Sequence, residues 1–232
     1  MKNQKLLFAF VLGTIGVAAI PSGTAMANGC TYSSTNKNCP DTVNQWTYGR
    51  QDTASLRYTI NTSIPSACQT PAYNARDTWN NSTFPFSFVW AGMSSTTSRV
   101  KQGDYLAPTS SNRYDTLDLT IGETLSYAAA STQFDWGNWN ATAGRYNIKD
   151  GDIVVAPGTI PASYCGTGTV PSDKKDFRGI ISHELGHAVG LGHKLQGQTT
   201  SDVMYGWSGN GPRPTVLSSA DRMSAEYLYG RR

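Results

Sequence analysis

Segments in which apolar and polar residues alternate recur through the first two thirds of the chain, and this period of two predicts β-strands. These segments are 56–60, 86–90, 117–121 and the flatter, small-residue segment 124–130. A fifth strand is predicted at 153–155, where three apolar residues follow a turn at 149–152. The Trp-rich residues 134–147 and the Gly- and Pro-rich residues 157–172 are predicted to be loops.

Helical periodicity predicts three helices between and after these strands. They cover about 70–79, 174–189 and 217–230. Thr70 is a typical N-cap residue with Pro71 at the first helical position, and Gly190 is a typical residue at a helix end. Ser218 or Ser219 would cap the last helix. Strands mixed with helices in this order indicate the α+β class.

Residues 1–27 have the features of a secretory signal peptide. Two lysines come first, residues 6–20 are apolar, and Ala-Met-Ala at 25–27 fits a cleavage site. An apolar stretch of this length is too short to span a bilayer. An uncleaved N-terminal anchor is the alternative. We therefore expect a mature chain of residues 28–232 that is secreted, extracellular and free of the membrane.

Composition excludes several classes of protein. With 38% hydrophobic, 15% charged and 11% aromatic residues, the chain is neither a polytopic membrane protein nor a charge-rich disordered one. Loss of the two lysines of the signal peptide lowers the formal net charge from +3 to +1. A nearly neutral surface gives no case for a nucleic acid as partner.

The mature chain would contain four cysteines, and none of them belongs to a CxxC pair. They are Cys30, Cys39, Cys68 and Cys165. An even number in an exported chain predicts two disulfides, for which three connectivities are open.

The sequence HELGHAVGLGH at 183–193 contains the chemistry of the chain. His183 and His187 lie one turn apart on the same face of the predicted helix, and Gly190 allows the chain to turn and return His193 as a third ligand. Three imidazoles on a tetrahedral ion leave a fourth position for water, which is typical of catalytic zinc. Glu184 would lie next to that water. The alternatives are a pair of core histidines and a structural metal site.

These residues resemble the HExxHxxGxxH motif of the metzincin zinc endopeptidases. Residues 201–205, with Met204, are similar to the Met-turn of that family. Among metzincins the chain most resembles the matrixins, in a bacterial-type secreted form without a hemopexin domain. The segments that carry this second resemblance are 56–60, 124–130 and 217–230.

The resemblance implies a metzincin fold. Its N-terminal subdomain, to about residue 192, would hold a five-stranded twisted mixed sheet with an antiparallel edge strand at 124–130 and two long helices. Its C-terminal subdomain, about 193–232, would be mostly irregular, with the Met-turn and a final helix. The chain departs from matrixins at Lys194 and at 206–208, and Tyr127 replaces a histidine of their structural zinc site, so we expect no second zinc.

The resemblance also implies roles for particular residues. One catalytic zinc would be bound by the three histidines, with Glu184 as the general base and Met204 beneath the metal. An extended substrate would pair with the edge strand at Ala128, Ala129 and Ala130, and Trp207 would form a pocket wall. The family topology favours the disulfides Cys30–Cys39 and Cys68–Cys165. Calcium at Asp150 and Asp152 follows from the analogy, with a solvated acidic turn as the alternative.

The expected function is hydrolysis of peptide bonds in extracellular proteins by a monomeric zinc metalloendopeptidase. A protein or peptide substrate is the expected partner. One alternative is a peptidase specific for cell-wall peptides. A second is a binding protein that uses the same scaffold without cleavage, with the Trp-rich loop 134–139 as a carbohydrate platform.

Overall fold

The computed structural model describes six ranges of the chain. These are residues 55–95, 116–122, 128–140, 145–193, 200–206 and 209–229. Several sequence predictions fall outside them: the signal peptide, Cys30, Cys39, Tyr127, Lys194 and Trp207. Within the described ranges, no helix has the length and apolar character needed to cross a membrane.

Five strands form one mixed sheet. They are β1 (Ser55–Asn61), β2 (Ser87–Ser94), β3 (Thr116–Ile121), β4 (Ala130–Asn140) and β5 (Arg145–Val155), in the spatial order β2-β1-β3-β5-β4. β1 pairs in parallel with β2 and β3, and β3 with β5, whereas β4 runs antiparallel to β5 at the edge. The predicted α+β class and the mixed five-stranded sheet are therefore confirmed.

The position of the antiparallel edge strand was predicted wrongly. The strand begins at Ala130, where the prediction of 124–130 ended, and its pairing with β5 extends from Ala130–Val155 to Asn140–Arg145. Residues 134–140, predicted as loop, are strand, and the predicted turn at 149–152 lies within β5. Cross-strand hydrogen bonding in a long hairpin stabilises these residues as strands although their sequence lacks regular alternation.

The first helix also begins earlier than predicted. α1 (Ser66–Ala75) contains Pro71 in its interior, and the short α2 (Asp77–Asn80) follows directly. The cause is tertiary, because Cys68 is buried in the first turn and forms a disulfide with Cys165, with 4.7 Å between the Cα atoms. This bond matches the second predicted disulfide. The burial of that turn offsets the backbone hydrogen bond that proline removes.

The core lies between the sheet and two helices, α1 and α4 (Phe177–Val189). Tyr58 and Leu119 from the sheet and Ile181 and Leu185 from α4 belong to one buried apolar cluster. Trp79 is fully buried and its indole N–H donates to the carbonyl of Ser182 at 2.8 Å. α4 is therefore fixed from both sides, which matters because it is the helix of the histidine motif.

The remaining elements are short, except for the final helix. They are α3 (Thr159–Ala162), β6 (Ser163–Tyr164), β7 (Lys175–Asp176) and α5 (Ser219–Tyr229). The hydroxyl of Tyr229 donates to the carbonyl of Val189 at 2.6 Å, which fastens α5 to the last turn of α4. The division into subdomains near residue 192 stays a prediction.

Replacing both Cys68 and Cys165 by serine is expected to lower the free energy of unfolding by about 4 to 5 kcal/mol. The disulfide joins residues 97 positions apart, and its loss frees a long loop in the unfolded chain. Urea denaturation followed by tryptophan fluorescence measures the difference. The Cys30→Ser/Cys39→Ser variant is the matched control and should lose less, because the predicted Cys30–Cys39 disulfide would close a shorter loop. A loss below about 1 kcal/mol, the size of an ordinary substitution, would contradict this account.

Candidate metal centre

α4 is capped at both ends by its own sequence. The carboxylate of Asp176 accepts from the N–H of Gly179 at 3.0 Å at the N-terminus. At the C-terminus Gly190 has a φ of 105°, and the N–H of Leu191 donates to the carbonyl of Gly186 at 3.0 Å, which is a Schellman motif. The predicted end at Gly190 is confirmed. This turn redirects the chain within three residues from the helix axis to His193.

The three histidines of the motif converge. The Nε2 atom of His193 lies 3.1 Å from the Nε2 atoms of both His183 and His187. Among the described residues, these histidines form the one group of three or more His, Cys, Asp or Glu side chains near enough to share an ion. The ligand set predicted from the spacing is therefore brought together.

Backbone carbonyls fix the rings of His183 and His187 by hydrogen bonds to Nδ1, the ring nitrogen that does not point to the common centre. Nδ1 of His183 lies 2.7 Å from the carbonyl of Val203, and Nδ1 of His187 lies 2.8 Å from the carbonyl of Leu191. A carbonyl only accepts, so each Nδ1 carries the proton and each Nε2 carries a lone pair. His193 has at most one Nε2 proton to share between them. At least one 3.1 Å contact therefore places two lone pairs together, and a cation between them would relieve the repulsion.

Burial keeps these rings neutral. It lowers the pKa of His183 well below its usual range and that of His187 and His193 to about 4, and the charge of Arg213 acts in the same direction at all three. Neutral imidazole is the form that binds a metal. The set of three nitrogen ligands therefore fits zinc, and it contains no carboxylate of the kind calcium requires.

The segment around Met204 packs against α4 at Gly186 and is itself held by α5 through Asp221. Met204 is fully buried, and a Cβ added at Gly186 would lie 2.2 Å from its sulfur. The buried carboxylate of Asp221 accepts from the N–H groups of Val203 at 2.8 Å and Met204 at 3.2 Å. It also forms a capping box with Ser218, which is thereby the cap of α5. Asp221 thus fixes the carbonyl that orients His183.

Glu184 points toward the edge strand. The hydroxyl of Thr132 in β4 lies 2.7 Å from Oε2 of Glu184 and 2.9 Å from its backbone carbonyl. Burial raises the pKa of Glu184, and the hydrogen bond from Thr132 and the charge of Arg213 oppose the rise. The carboxyl group is buried beside the histidines and belongs to none of the ligand contacts, which suits a proton acceptor better than a ligand.

Arg213 lies on the other side of His183. Its guanidinium donates to the carbonyl of Tyr205 at 2.9 Å, and its Nη2 lies 3.5 Å from Nδ1 of His183. Its backbone N–H donates to Asp176, the residue that caps α4. Burial lowers the pKa of Arg213, opposed by the charges of Glu184 and Asp176. A cation is therefore built into the wall of the site.

The residues predicted to bind the substrate do not all lie on the edge strand. Ala129 and Ala130 are buried and Ala128 is half-buried, and the carbonyl of Ala129 accepts from Ala156 at 3.0 Å and from Thr159 at 2.7 Å. Ala128 and Ala129 therefore precede the edge strand, and the carbonyl of Ala129 is bonded within the protein. Trp207 lies outside the described residues.

The structure gives the calcium prediction no support. Asp152 is buried inside β5, and its Oδ1 accepts from the N–H of Asp118 at 3.1 Å, while Thr59 donates to the carboxylate of Asp118. The structure describes only the backbone of Asp150, which is strand and not a turn. Calcium at these two residues stays a prediction.

Four residues that contribute to the site were not predicted from the sequence: Thr132, Asp176, Arg213 and Asp221. Asp176 had a local signal, since Asp before an apolar helical stretch is a frequent N-cap. Ser218 followed three residues later by Asp221 is a capping-box pattern, but its link to Met204 is a long-range contact. Thr132 had no signal, because its strand was placed too early in the chain.

Comparison with known proteins gives partial matches, and the match to a family profile includes this site. The profile of the family Peptidase M66 matches residues 152–213, about a quarter of the chain. Metalloendoproteinase 2-MMP of Arabidopsis thaliana is 26% identical over 128 residues, which is 53% of this chain and 32% of that protein. The match thus spans about a third of the length of that relative.

Two solved structures resemble the chain more distantly. High choriolytic enzyme 1, a hatching enzyme zinc-protease from the medaka fish Oryzias latipes, superposes with a TM-score of 0.41 at 13% identity, over 81% of this chain and 96% of that one. Myroilysin superposes with a TM-score of 0.38 at 11% identity, over 78% and 86% of the two chains. Superpositions of this quality do not establish a common fold.

Substituting Gly186 by alanine is expected to destabilise the chain by about 1–3 kcal/mol, as overpacking does in other cores. The new Cβ would lie 2.2 Å from the sulfur of Met204 and 2.5 Å from the ring of Trp79. Chemical denaturation measures the loss, and zinc titration should show weaker binding, because the clash lies on the turn that joins His183 to His187.

Gly158→Ala is the matched control, since a Cβ there meets no atom within 4 Å. Equal stability of the two alanine variants would show that Met204 does not pack on α4 as described.

Proposed function

We propose that this chain is a secreted zinc metalloendopeptidase of the metzincin type, most like the matrixins. The convergence of the Nε2 atoms of His183, His187 and His193, with Glu184 buried beside them, is the observation that carries the proposal. The partial matches to a peptidase family and to a metalloendoproteinase support it, because the former includes all three histidines.

The histidines would hold one zinc ion, since their donor set is that of catalytic zinc with one position open. When bound, zinc lowers the pKa of water and polarises a carbonyl, which are the two demands of peptide hydrolysis. The backbone carbonyls of Val203 and Leu191 accept from Nδ1 of His183 and of His187 and so maintain the orientation of these two ligands. Asp221 maintains the position of Val203.

Glu184 would move the proton. Its carboxylate would accept a proton from the attacking water at one oxygen and deliver it to the leaving amine nitrogen. The Thr132 hydroxyl contacts Oε2 at 2.7 Å, which leaves Oε1 to accept the proton. Burial raises the pKa of Glu184 above that of an exposed glutamate, which makes it a stronger base.

The substrate would lie extended along β4. This strand forms the edge of the sheet, and Thr132 connects it directly to Glu184. An extended peptide can add to such an edge by backbone hydrogen bonding. The proposed binding edge therefore starts at Ala130 and continues beyond it, instead of ending there as the sequence suggested. We propose protein or peptide substrates and a monomeric enzyme.

Export is part of the same proposal. The lysine-led apolar segment in residues 1–27 fits a signal peptide. The disulfide between Cys68 and Cys165 fits an oxidising compartment outside the cytoplasm. Digestion of casein and of purified cell wall by the mature chain separates general proteolysis from cleavage of cell-wall peptides.

Removal of zinc is expected to abolish peptide cleavage. The purified chain 28–232 should contain one zinc per molecule by metal analysis and should lose more than nine tenths of its casein hydrolysis in ortho-phenanthroline. The reason is that, in the described part of the chain, these histidines are the one group that could share a metal ion. Added zinc should restore the activity. Hydrolysis that persists at full rate in the metal-free protein would exclude the proposed function.

The Glu184→Gln variant is expected to keep its zinc and lose turnover by about 10²–10⁴-fold, the usual contribution of a general base. The amide retains the size and the hydrogen bond to Thr132 but accepts protons poorly. Glu226→Gln is the matched control, since Glu226 is a carboxylate of α5 bonded to Thr83. Loss of zinc from Glu184→Gln would show that Glu184 is a ligand and not the base.

A further inference from the structure

The side chain of Arg213 runs along α4 toward the metal centre. Its Cβ packs on Gly179, where an added Cβ would lie only 2.4 Å away, and its Nη2 lies 3.5 Å from Nδ1 of His183. Gly179 and His183 are one helical turn apart and share a face. The absence of a side chain at Gly179 therefore allows Arg213 to lie against this face, with its guanidinium one imidazole ring away from the converging Nε2 atoms.

Within the described part of the chain this guanidinium forms no close ion pair, and the carboxylates of Glu184 and Asp176 act on it only through their charge. The one ion pair among the described residues joins Arg76 to Asp77. Of the two acidic residues that act on Arg213, Asp176 accepts from the backbone N–H groups of Arg213 and Gly179, and Glu184 accepts from Thr132. The guanidinium donates to one neutral carbonyl, that of Tyr205. A half-buried charge in such surroundings is stabilised by an anion from outside.

We propose that Arg213 is a specificity-determining residue that binds a carboxylate of the substrate next to the scissile bond. The inference rests on the proposed function. A guanidinium offers five N–H donors in a planar fork that matches a carboxylate, and the bond to Tyr205 leaves donors on Nη1 and Nε. The carboxylate comes either from an Asp or Glu side chain or from the C-terminus of a short peptide.

A purely structural role for Arg213 predicts a different result. The bond to Tyr205 and the backbone bond to Asp176 connect the segment after Met204 to the start of α4. If this connection were the whole function of Arg213, its loss would slow the cleavage of all peptides by the same factor. Selection of a carboxylate instead changes the ratio between two substrates, and that ratio does not depend on the fraction of folded enzyme.

The test uses peptides that are identical except for Glu or Gln on either side of the scissile bond, each as a free acid and as a C-terminal amide. The wild type is expected to cleave the preferred Glu peptide roughly 10- to 100-fold faster, in kcat/KM, than its Gln partner, the effect of one charge-assisted hydrogen bond. Arg213→Gln should bring this ratio close to one, and Arg213→Lys should keep part of it. Arg222→Gln, which removes an exposed arginine of α5, should leave the ratio unchanged.

If kcat/KM differs only between free acids and amides, the C-terminal carboxylate is the ligand. If kcat/KM differs between Glu and Gln in amidated peptides, the side chain is the ligand. Equal cleavage of all these peptides by the wild type would overturn the inference and leave the proposed function intact. So would an equal loss for every peptide in Arg213→Gln. If no peptide is cleaved, the proposed function fails, and calorimetric binding of the Glu and Gln peptides to zinc-loaded Glu184→Gln decides the inference by the same ratio.

Discussion

The metal centre depends on fixing three imidazole rings so that one nitrogen of each points to a common centre. A histidine side chain rotates about two bonds, so convergence requires that the second ring nitrogen be held as well. Backbone carbonyls of Leu191 and Val203 hold it for His187 and His183. Both carbonyls belong to irregular backbone outside α4, so the geometry of the centre is only as rigid as these two turns.

Each turn is fixed by a different device. The turn with Leu191 is part of the Schellman motif at Gly190, whose φ of 105° few other residues adopt. The turn with Val203 has one internal hydrogen bond, from the N–H of Tyr205 to the carbonyl of Asp202 at 3.2 Å, and the carboxylate of Asp221 from α5 also holds it. That helix is in turn fastened to the end of α4 by Tyr229. The final helix therefore supports the metal centre through the backbone of Val203 and of Val189.

The difference between these devices explains what the sequence could predict. The ligand set and the end of α4 follow from spacing within eleven residues and from one glycine, so local rules were sufficient. The mixed five-stranded sheet was implied by the resemblance to metzincins, and β1, β2 and β3 also showed an alternating period of their own. The edge strand was misplaced because β4 is defined by its partner β5. Thr132, Arg213 and Asp221 act through contacts between residues far apart in sequence, which periodicity does not encode.

Charge balance connects the metal centre with the residues around it. Three neutral imidazoles contribute no negative charge, so they would not compensate the charge of a divalent ion that they held. Asp176 is occupied as the cap of α4. Glu184 lies beside the histidines, and within the described part of the chain its carboxylate accepts from the hydroxyl of Thr132. The charge of Arg213 opposes the effect of burial on the pKa of Glu184 and favours its ionised form. The charges of Glu184 and Arg213 act on each other, so the same guanidinium affects the ionisation of Glu184 and would attract the anionic group that we propose it binds.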